Sequence, residues 1–247
     1  MDNLQQWENN WLMRFNPDKC EVLIATNKKS PNNSEYTIHG QVLNQTDSAK
    51  YLGLNIHKNL SWDSHIDKIT KKANSTLAFL GRNVSRCPTT IKAQCYTTLV
   101  RPTLEYASSI WSASKKDSIN KVEAVQRRAA RFATGDYQRT SSVTAMLQQL
   151  QWQSLQSRRA YAQTVMMHHI VYNFVDIPAE HHLNRTSLRT RAYSLRFLVP
   201  HTRTTVYRTS FFPQAIRLWN QLHVPGSVVE ADTLDSFKAH LSRATLI

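Results

Sequence analysis

Apolar residues recur at helical spacing through most of the chain after residue 60, and this pattern constrains the fold more than any other feature. On one face of a predicted helix over 61–81 lie the apolar side chains Ile66, Ile69, Ala73, Leu77 and Leu80. Further helices are predicted at 117–133, 141–150, 152–175, 211–222 and 233–244. Pro102 is expected to split the helical segment 89–111 in two. The chain after residue 60 is therefore predicted to be a helical bundle.

The first sixty residues alternate between helical and strand patterns. In chain order they predict a helix at 3–14, strands at 20–26 and 50–56, and between these strands a hairpin at 36–44 that turns at His39-Gly40. The predicted fold class is therefore α+β and mainly α. A small antiparallel sheet comes first, a helical bundle follows, and the chain closes with a C-terminal extension made of a hairpin (194–208) and a helix.

Basic charge is concentrated after residue 60. Residues 1–60 carry six basic and six acidic side chains, residues 61–140 carry fourteen and six, and residues 141–247 carry eleven and five. The formal net charge of the whole chain is +14. Such a surface favours a polyanion such as RNA or DNA as the partner, although a basic surface also serves solubility alone.

Two regions supply the candidate contacts to nucleic acid. At about 100° per residue, the helix at 117–133 has an apolar face and, opposite it, a cationic face. Between His181 and Val229 the chain has seven arginines, interleaved aromatics and no carboxylate. Arginines neutralise phosphates and exposed aromatics stack on unpaired bases, although the helical spacing of Phe211, Phe212 and Trp219 favours a core position. The candidate residues are Lys68, Lys71, Lys72, Lys121, Arg127, Arg128, Arg131, Arg189, Arg191, Arg196, Arg203 and Arg208.

Several classes of function have little support in the sequence. Five glycines in 247 residues leave no phosphate-binding glycine-rich loop, and the three cysteines lack the spacing of a disulfide framework or a zinc site. The pairs His168-His169 and His181-His182 have no HExxH or cysteine partner, so no metal site is predicted. No apolar run is long enough to span a membrane and no signal peptide is evident. We expect an intracellular protein, cytoplasmic or nuclear, that is not bound to a membrane.

Five stretches resemble a known family. They are WLMRFNPDKCEVL at 11–23, KYLGLNIHKNLSWDSHI at 50–66, VRPTLEYASSIW at 100–111, KVEAVQRRAARF at 121–132 and FFPQAIRLWNQL at 211–222. Together they resemble the C-terminal part of the reverse transcriptases of non-LTR, LINE-type, jockey-like retrotransposons. The resemblance extends over nearly the whole chain.

This resemblance implies a division into a partial polymerase palm at 1–58, a helical thumb-like domain at 59–176 and an Arg-rich C-terminal extension at 177–247. Lys19 matches the motif D lysine near the triphosphate, where the alternative is a surface lysine before a strand. A further match is to motif E, the primer grip, and involves Tyr51, Leu52, Gly53 and Leu54. The alternative for this segment is an amphipathic strand whose Tyr51 and Leu54 belong to the core.

The resemblance also implies what the chain lacks. Such polymerases hold two metal ions between carboxylates that include an adjacent pair of aspartates, and this sequence has no two adjacent aspartates. We therefore expect a fragment that binds an RNA and DNA template-primer duplex without polymerising by itself. No cofactor is expected in this chain, since Mg²⁺ would come only with the missing palm, and an upstream polymerase segment is a candidate partner.

Two alternatives to this interpretation remain open. One is a degenerate relic or a protein-interaction module without nucleic-acid activity. The other is an independent enzyme, such as a nuclease, that uses the scattered carboxylates.

Overall fold

Helices dominate the protein, as the spacing of apolar residues predicts. The computed structural model describes residues 2–26, 28, 34–113, 115–186, 196–221 and 234–243. Within these ranges, no helix combines the length and the apolar character needed to cross a membrane. The chain divides into two compact units, Met1–His65 and Ile66–Ile247. The finer division at residues 58 and 176 remains a prediction.

In the described residues of the first unit there are one α-helix, a short 3₁₀ turn and six strands. They are α1 (Asp2–Trp11), the 3₁₀ turn (Pro17–Lys19), β1 (Glu21–Leu23), β2 (Thr37–Ile38), β3 (Gln41–Val42), β4 (Asn44–Thr46), β5 (Ser48–Tyr51) and β6 (Leu54–His57). The predicted hairpin that turns at His39-Gly40 is confirmed as β2–β3. Glu8 Oε1 of α1 lies 3.1 Å from His39 Nε2, so the helix contacts this turn.

The strands form three separate two-stranded sheets, so the prediction of one small antiparallel sheet is wrong in topology. β1 pairs with β4 in parallel, with Glu21 opposite Asn44. Parallel strands need a long connection, and the intervening β2–β3 hairpin supplies it. The other two sheets are the antiparallel hairpins β2–β3 and β5–β6.

The predicted single strand at 50–56 is a hairpin instead. Tyr51 of β5 lies opposite Leu54 of β6, and Leu52 and Gly53 form the two-residue turn between them. Both turn residues have positive φ, 44° and 86°, which is characteristic of the tight type I′ turns that match the twist of a hairpin. Glycine adopts this conformation without steric cost, so the turn depends on Gly53.

Helices make up most of the second unit. They are α2 (Asp63–Asn83), α3 (Thr89–Cys95), α4 (Arg101–Glu105), α5 (Lys116–Thr134), α6 (Val143–Gln149), α7 (Leu155–Val171), α8 (Thr205–Arg208), α9 (Phe211–Gln221) and α10 (Leu234–Arg243). At the start of α2, Ser61 Oγ accepts a hydrogen bond from the Asp63 amide at 3.2 Å. The helix continues past Gly81, so the end predicted at that glycine is wrong by two residues.

The predicted break at Pro102 is confirmed. Between α3 and α4 the residues Tyr96–Val100 form a π-helical turn, and the Arg101 amide donates to the Tyr96 carbonyl five residues earlier. Proline cannot donate an amide hydrogen bond, and its ring crowds the carbonyl four residues before it. The wider turn just before Pro102 relieves that crowding. The second helical piece ends at Glu105, well before the predicted residue 111.

A core cluster joins α7, α9 and α10. Its buried members are Met167, Phe197, Ala215, Ile216, Trp219, Phe237 and Leu241. The preference of the α9 aromatics for a core position is therefore confirmed for Trp219, while Phe211 packs partly buried against the same cluster. These contacts fix α9 against α7, and they thereby position the polar side chains that the two helices share.

The hairpin predicted at 194–208 is wrong for the described residues. Phe197 pairs in antiparallel fashion with Arg185, and the Leu198 amide donates to the Asn184 carbonyl at 2.8 Å. Residues 205–208 are helical, as α8. Residues 197 and 198 therefore pair with the preceding segment 184–185 rather than with the residues that follow. The chain after Pro200 makes local hydrogen bonds instead, because the Tyr207 amide donates to Thr204 Oγ1 at the start of α8.

Candidate nucleic-acid interface

Two polar contacts place α2 beside α5. Lys121 Nζ lies 2.6 Å from Asp67 Oδ1, and Arg128 Nη1 donates to Asn74 Oδ1 at 2.7 Å. Each pair is separated by 54 residues in sequence, and the two pairs are one heptad apart along both helices. The two helices therefore run parallel along this seam.

The seam changes the role of two predicted contacts. Lys121 and Arg128 were predicted as phosphate-binding residues, and the structure engages both with side chains of α2. Lys121 is still half exposed, and its partner Asp67 is exposed to a similar degree. An ion pair of this kind in water contributes at most about 1 kcal/mol, so a phosphate can compete with Asp67 for the lysine.

The three predicted lysines of α2 are exposed. Lys68 and Lys72 are one turn apart and share a face, and Lys71 lies between that face and the seam row of Asp67 and Asn74. None of the three has an ion pair with a carboxylate within the residues that the structure describes. The α2 surface therefore presents three cationic side chains to solvent.

The outer face of α5 adds two arginines. Arg127 donates to the Asn120 carbonyl at 3.3 Å, and Arg131 donates to the Gln138 carbonyl at 2.8 Å. A guanidinium group has five N–H donors, so each arginine keeps donors for a further acceptor. These contacts hold Arg127 along α5 and Arg131 against the segment that follows the helix. We define Lys68, Lys71, Lys72, Arg127 and Arg131 as the α2–α5 cationic surface.

The apolar face predicted for α5 is confirmed, and it explains why these arginines point outward. The buried residues of the helix include Val122, Val125, Ala129 and Phe132. Gln126 joins them because its amide is satisfied on both sides. It accepts from Tyr96 Oη at 3.0 Å and donates to the Gln153 carbonyl at 2.8 Å. Burial of this face leaves the opposite, cationic face for solvent.

The predicted C-terminal arginines that the structure describes differ in exposure. Arg189 and Arg191 lie outside the described residues. Arg196 is half-buried, and its carbonyl accepts the Thr186 amide in the short antiparallel pairing. Arg203 and Arg208 are exposed. Among the predicted C-terminal contacts that the structure describes, only Arg203 and Arg208 are therefore exposed.

The first unit holds the remaining predicted site residues. Lys19 is exposed at the end of the 3₁₀ turn that precedes β1. At the tip of the β5–β6 hairpin, Tyr51 is 63% exposed, whereas Leu54 is only 5% exposed. The alternative in which both residues belong to the core is therefore wrong for Tyr51 and right for Leu54. A tyrosine at a hairpin tip offers an exposed ring and a hydroxyl group.

The described residues contain no cluster of three or more His, Cys, Asp or Glu side chains with the spacing of a metal site. The histidine pairs have other surroundings. His182 stacks on Phe212 with ring centroids 4.3 Å apart, and His168 is buried between aromatic rings, 4.2 Å from Phe237. Burial lowers the pKa of His168 to about 4, with a smaller contribution from neighbouring His169.

The comparisons with known proteins point to one group. The chain is 29% identical over 138 residues to the probable RNA-directed DNA polymerase from transposon BS of Drosophila melanogaster. The matched segment makes up 54% of this chain and 15% of that protein. The polymerase from mobile element jockey of the same fly is 26% identical over 150 residues, or 58% of this chain and 16% of the relative. Over more than half of its length the chain is similar to jockey-like transposon polymerases.

A third relative agrees with the first two. The probable RNA-directed DNA polymerase from transposon X-element of Drosophila melanogaster is 25% identical over 133 residues, which is 53% of this chain. The chain spans only 14–16% of the length of these relatives. No family model and no solved structure matches it. The predicted resemblance to non-LTR retrotransposon reverse transcriptases is thereby confirmed for 53–58% of the chain, and its extension over nearly the whole chain stays a prediction.

Proposed function

We propose that the chain is a non-catalytic, C-terminal segment of a retrotransposon RNA-directed DNA polymerase, and that the α2–α5 cationic surface binds the phosphate backbone of a template-primer duplex. The observation that carries the proposal is the parallel seam of α2 and α5, which gathers five cationic side chains from two helices. The homologous relatives are named as RNA-directed DNA polymerases, and this supports RNA and DNA as the partners.

The chemistry of this surface suits a phosphate backbone. The lysines carry mobile point charges, while the arginines present planar groups of donors that match phosphate oxygens. Most contacts between proteins and nucleic acids go to phosphate and sugar, and such contacts set position without reading sequence. The surface would therefore hold a duplex with little preference for its base sequence.

The first unit has a subsidiary role in the same proposal. We assign it to the edge of a polymerase palm, and we assign the β5–β6 hairpin to the primer grip. The exposed ring of Tyr51 and the glycine turn at Gly53 support this assignment, because both allow close approach of a nucleic-acid strand. Lys19 would contribute a charge near the triphosphate once the rest of the palm is present.

An upstream polymerase segment is the partner that we propose for α1. Leu12 is 94% exposed and Trp11 is 67% exposed, and Leu4, Trp7 and Met13 are also exposed in the same stretch. A continuous exposed apolar row is typical of an interaction surface. The relatives are about six times longer than the segment they share with this chain, so the rest of such a polymerase is the natural occupant.

The direct test is a titration of the chain with a short fluorescent RNA–DNA hybrid at several salt concentrations. If the five side chains of the α2–α5 cationic surface each neutralise one phosphate, the slope of log K against log [salt] is expected to be about −4.5. Hybrid, duplex DNA and single strands are compared in parallel. Affinity that does not change with salt, or no binding to any of them, would contradict the proposal.

Removing the carboxylate at the seam is expected to strengthen binding. Asp67→Asn keeps the shape of the side chain but removes the negative charge beside Lys121 that would repel a phosphate, so affinity for the hybrid is expected to rise by about three- to tenfold at low salt. The free energy of unfolding is expected to change by less than about 1 kcal/mol, because the ion pair is half exposed. Asp47→Asn is the matched control, since its ion pair with Lys58 lies in the other unit.

A further inference from the structure

A pocket lies between α5, α7 and α9, with Ser112 and Ala113 also in its wall. Its volume is about 460 Å³, within the range of small-molecule sites in proteins. The residues that line the pocket include three arginines and four glutamines, and none of the lining residues that the structure describes is a carboxylate. The arginines are Arg159, Arg208 and Arg217. An excess of positive charge at the wall of a pocket favours an anionic ligand.

Arg159 is the buried member of this group. Its side chain is only 4% exposed, and Nη1 is buried without a hydrogen-bond partner within the residues that the structure describes. One face of the guanidinium lies over the Trp111 ring, 5.8 Å from its centroid. The nearby carboxylates are engaged elsewhere, because Glu105 pairs with Arg158 and Glu123 accepts the Gln156 amide. A buried, unpaired charge is costly to the fold, and an anion in the pocket would offset that cost.

A second unpartnered atom narrows the class of ligand. Gln214 Oε1, also in the wall of the pocket, is buried without a donor in the described part of the chain. Arg159 Nη1 thus needs an acceptor, and Gln214 needs a donor such as a hydroxyl or an amine. Inorganic phosphate at neutral pH supplies acceptors in abundance and few donors. A nucleotide supplies both, through its phosphate and through its sugar hydroxyls or base amines.

We propose that this pocket binds one nucleotide, with the phosphate on Arg159 and Arg217 and a hydroxyl or amine of the nucleoside on Gln214. Arg217 is held for this purpose by a hydrogen bond of 3.0 Å to the Arg208 carbonyl. The ligand is either a free nucleoside monophosphate or the phosphorylated end of a strand. The pocket does not depend on the α2–α5 cationic surface, so the two proposals can fail separately.

The test measures binding of three probes to the whole chain by calorimetry and thermal shift: inorganic phosphate, nucleoside monophosphates, and an oligonucleotide with or without a 5′ phosphate. Nucleoside monophosphates are expected to bind at least about tenfold tighter than inorganic phosphate. Arg159→Met is expected to weaken that binding at least about tenfold and to leave the melting temperature without ligand equal or higher, because it removes an unpaired buried charge. Gln214→Met is expected to weaken only the nucleotide, not inorganic phosphate.

Arg139→Met is the matched control, because Arg139 is exposed and is not among the residues that line the pocket. If Arg159→Met does not fold, Arg217→Met gives the same comparison from the less buried side of the pocket. Tighter binding of the 5′-phosphorylated oligonucleotide than of the monophosphates assigns the ligand to a strand end, and the reverse order assigns it to a free nucleotide. Equal binding by Arg159→Met and the wild type, or no preference for nucleotide over inorganic phosphate, would overturn the proposal.

Discussion

Replacing Lys68, Lys71 and Lys72 together with glutamate is expected to weaken binding of an RNA–DNA hybrid on the order of 100-fold at moderate salt. Three phosphate contacts would be lost, and the salt slope is expected to become shallower by about 2.7 because each contact contributes about 0.9. The fold is expected to be retained, since all three side chains are exposed on α2. Fluorescence anisotropy against salt, with circular dichroism of the variant, measures both quantities.

The matched control makes the same change of charge elsewhere. Lys28, Arg86 and Arg139 are also exposed, and their joint replacement with glutamate alters the net charge of the chain by the same amount. This control variant is expected to lose only a few-fold in affinity, through the long-range field of the protein. If both triple variants weaken binding equally, net charge rather than the α2–α5 cationic surface holds the nucleic acid.

The stability of the second unit is expected to fall as the pH falls from about 6.5 to about 4, because of His168. Burial lowers the pKa of this imidazole to about 4 in the folded protein, against about 6.5 in an unfolded chain. Between these values the unfolded chain binds more protons, so acid favours unfolding. Above about pH 6.5 the imidazole is neutral in both states, and the difference between the two pKa values is expected to remove about 3 kcal/mol of stability by pH 4.

Urea unfolding at several pH values measures this effect. His168→Phe keeps an aromatic ring beside Phe237, whose centroid is 4.2 Å from that of the imidazole, and it removes the titrating group. The variant is expected to lose about 3 kcal/mol less stability than the wild type over the same pH range. His201→Phe is the control, because His201 is exposed. Parallel pH profiles for the wild type and His168→Phe would show that another group causes the acid sensitivity.

The helices of the second unit were largely predictable, because the spacing of apolar residues along the chain determines where they form. In α5 the apolar residues recur on one face, and burial of Val122, Val125 and Ala129 follows the predicted pattern. Pro102 interrupts its helix for a covalent reason, since it has no amide hydrogen to donate. The ends of the helices were predicted less accurately than their positions. Gly81 is compatible with the interior of a helix when the next turn continues to pack, and α2 extends past it.

Pairings between distant residues were not predictable in the same way. The hairpin at Leu52-Gly53 escaped prediction because only Gly53 signals a turn, while leucine rarely adopts the positive φ found at Leu52. The parallel pairing of β1 with β4 joins segments some twenty residues apart, and no local pattern records it. Periodicity likewise placed Lys121 on a cationic edge but could not show that Asp67 lies beside it.

The residues around the Arg159 pocket could not be brought together from the pattern of one helix. Arg159 follows buried Leu155 by four residues and precedes buried Gln163 by four, so it falls on the inner face of α7. The sequence did not predict this position, because the apolar residues of α7 are not confined to one face of the helix. The neighbouring Trp111, Gln214 and Arg217 come from other elements, and only the tertiary structure brings them to the same pocket.

Lysine footprinting on the bound complex tests the central claim most directly. The chain is acetylated with and without an RNA–DNA hybrid, and each lysine is quantified by mass spectrometry, with exposed Lys28 as the internal reference. The α2–α5 cationic surface predicts strong protection of Lys68, Lys71 and Lys72 and none of Lys28. Equal acetylation of these lysines with and without the hybrid, while the complex is demonstrably formed, would contradict it.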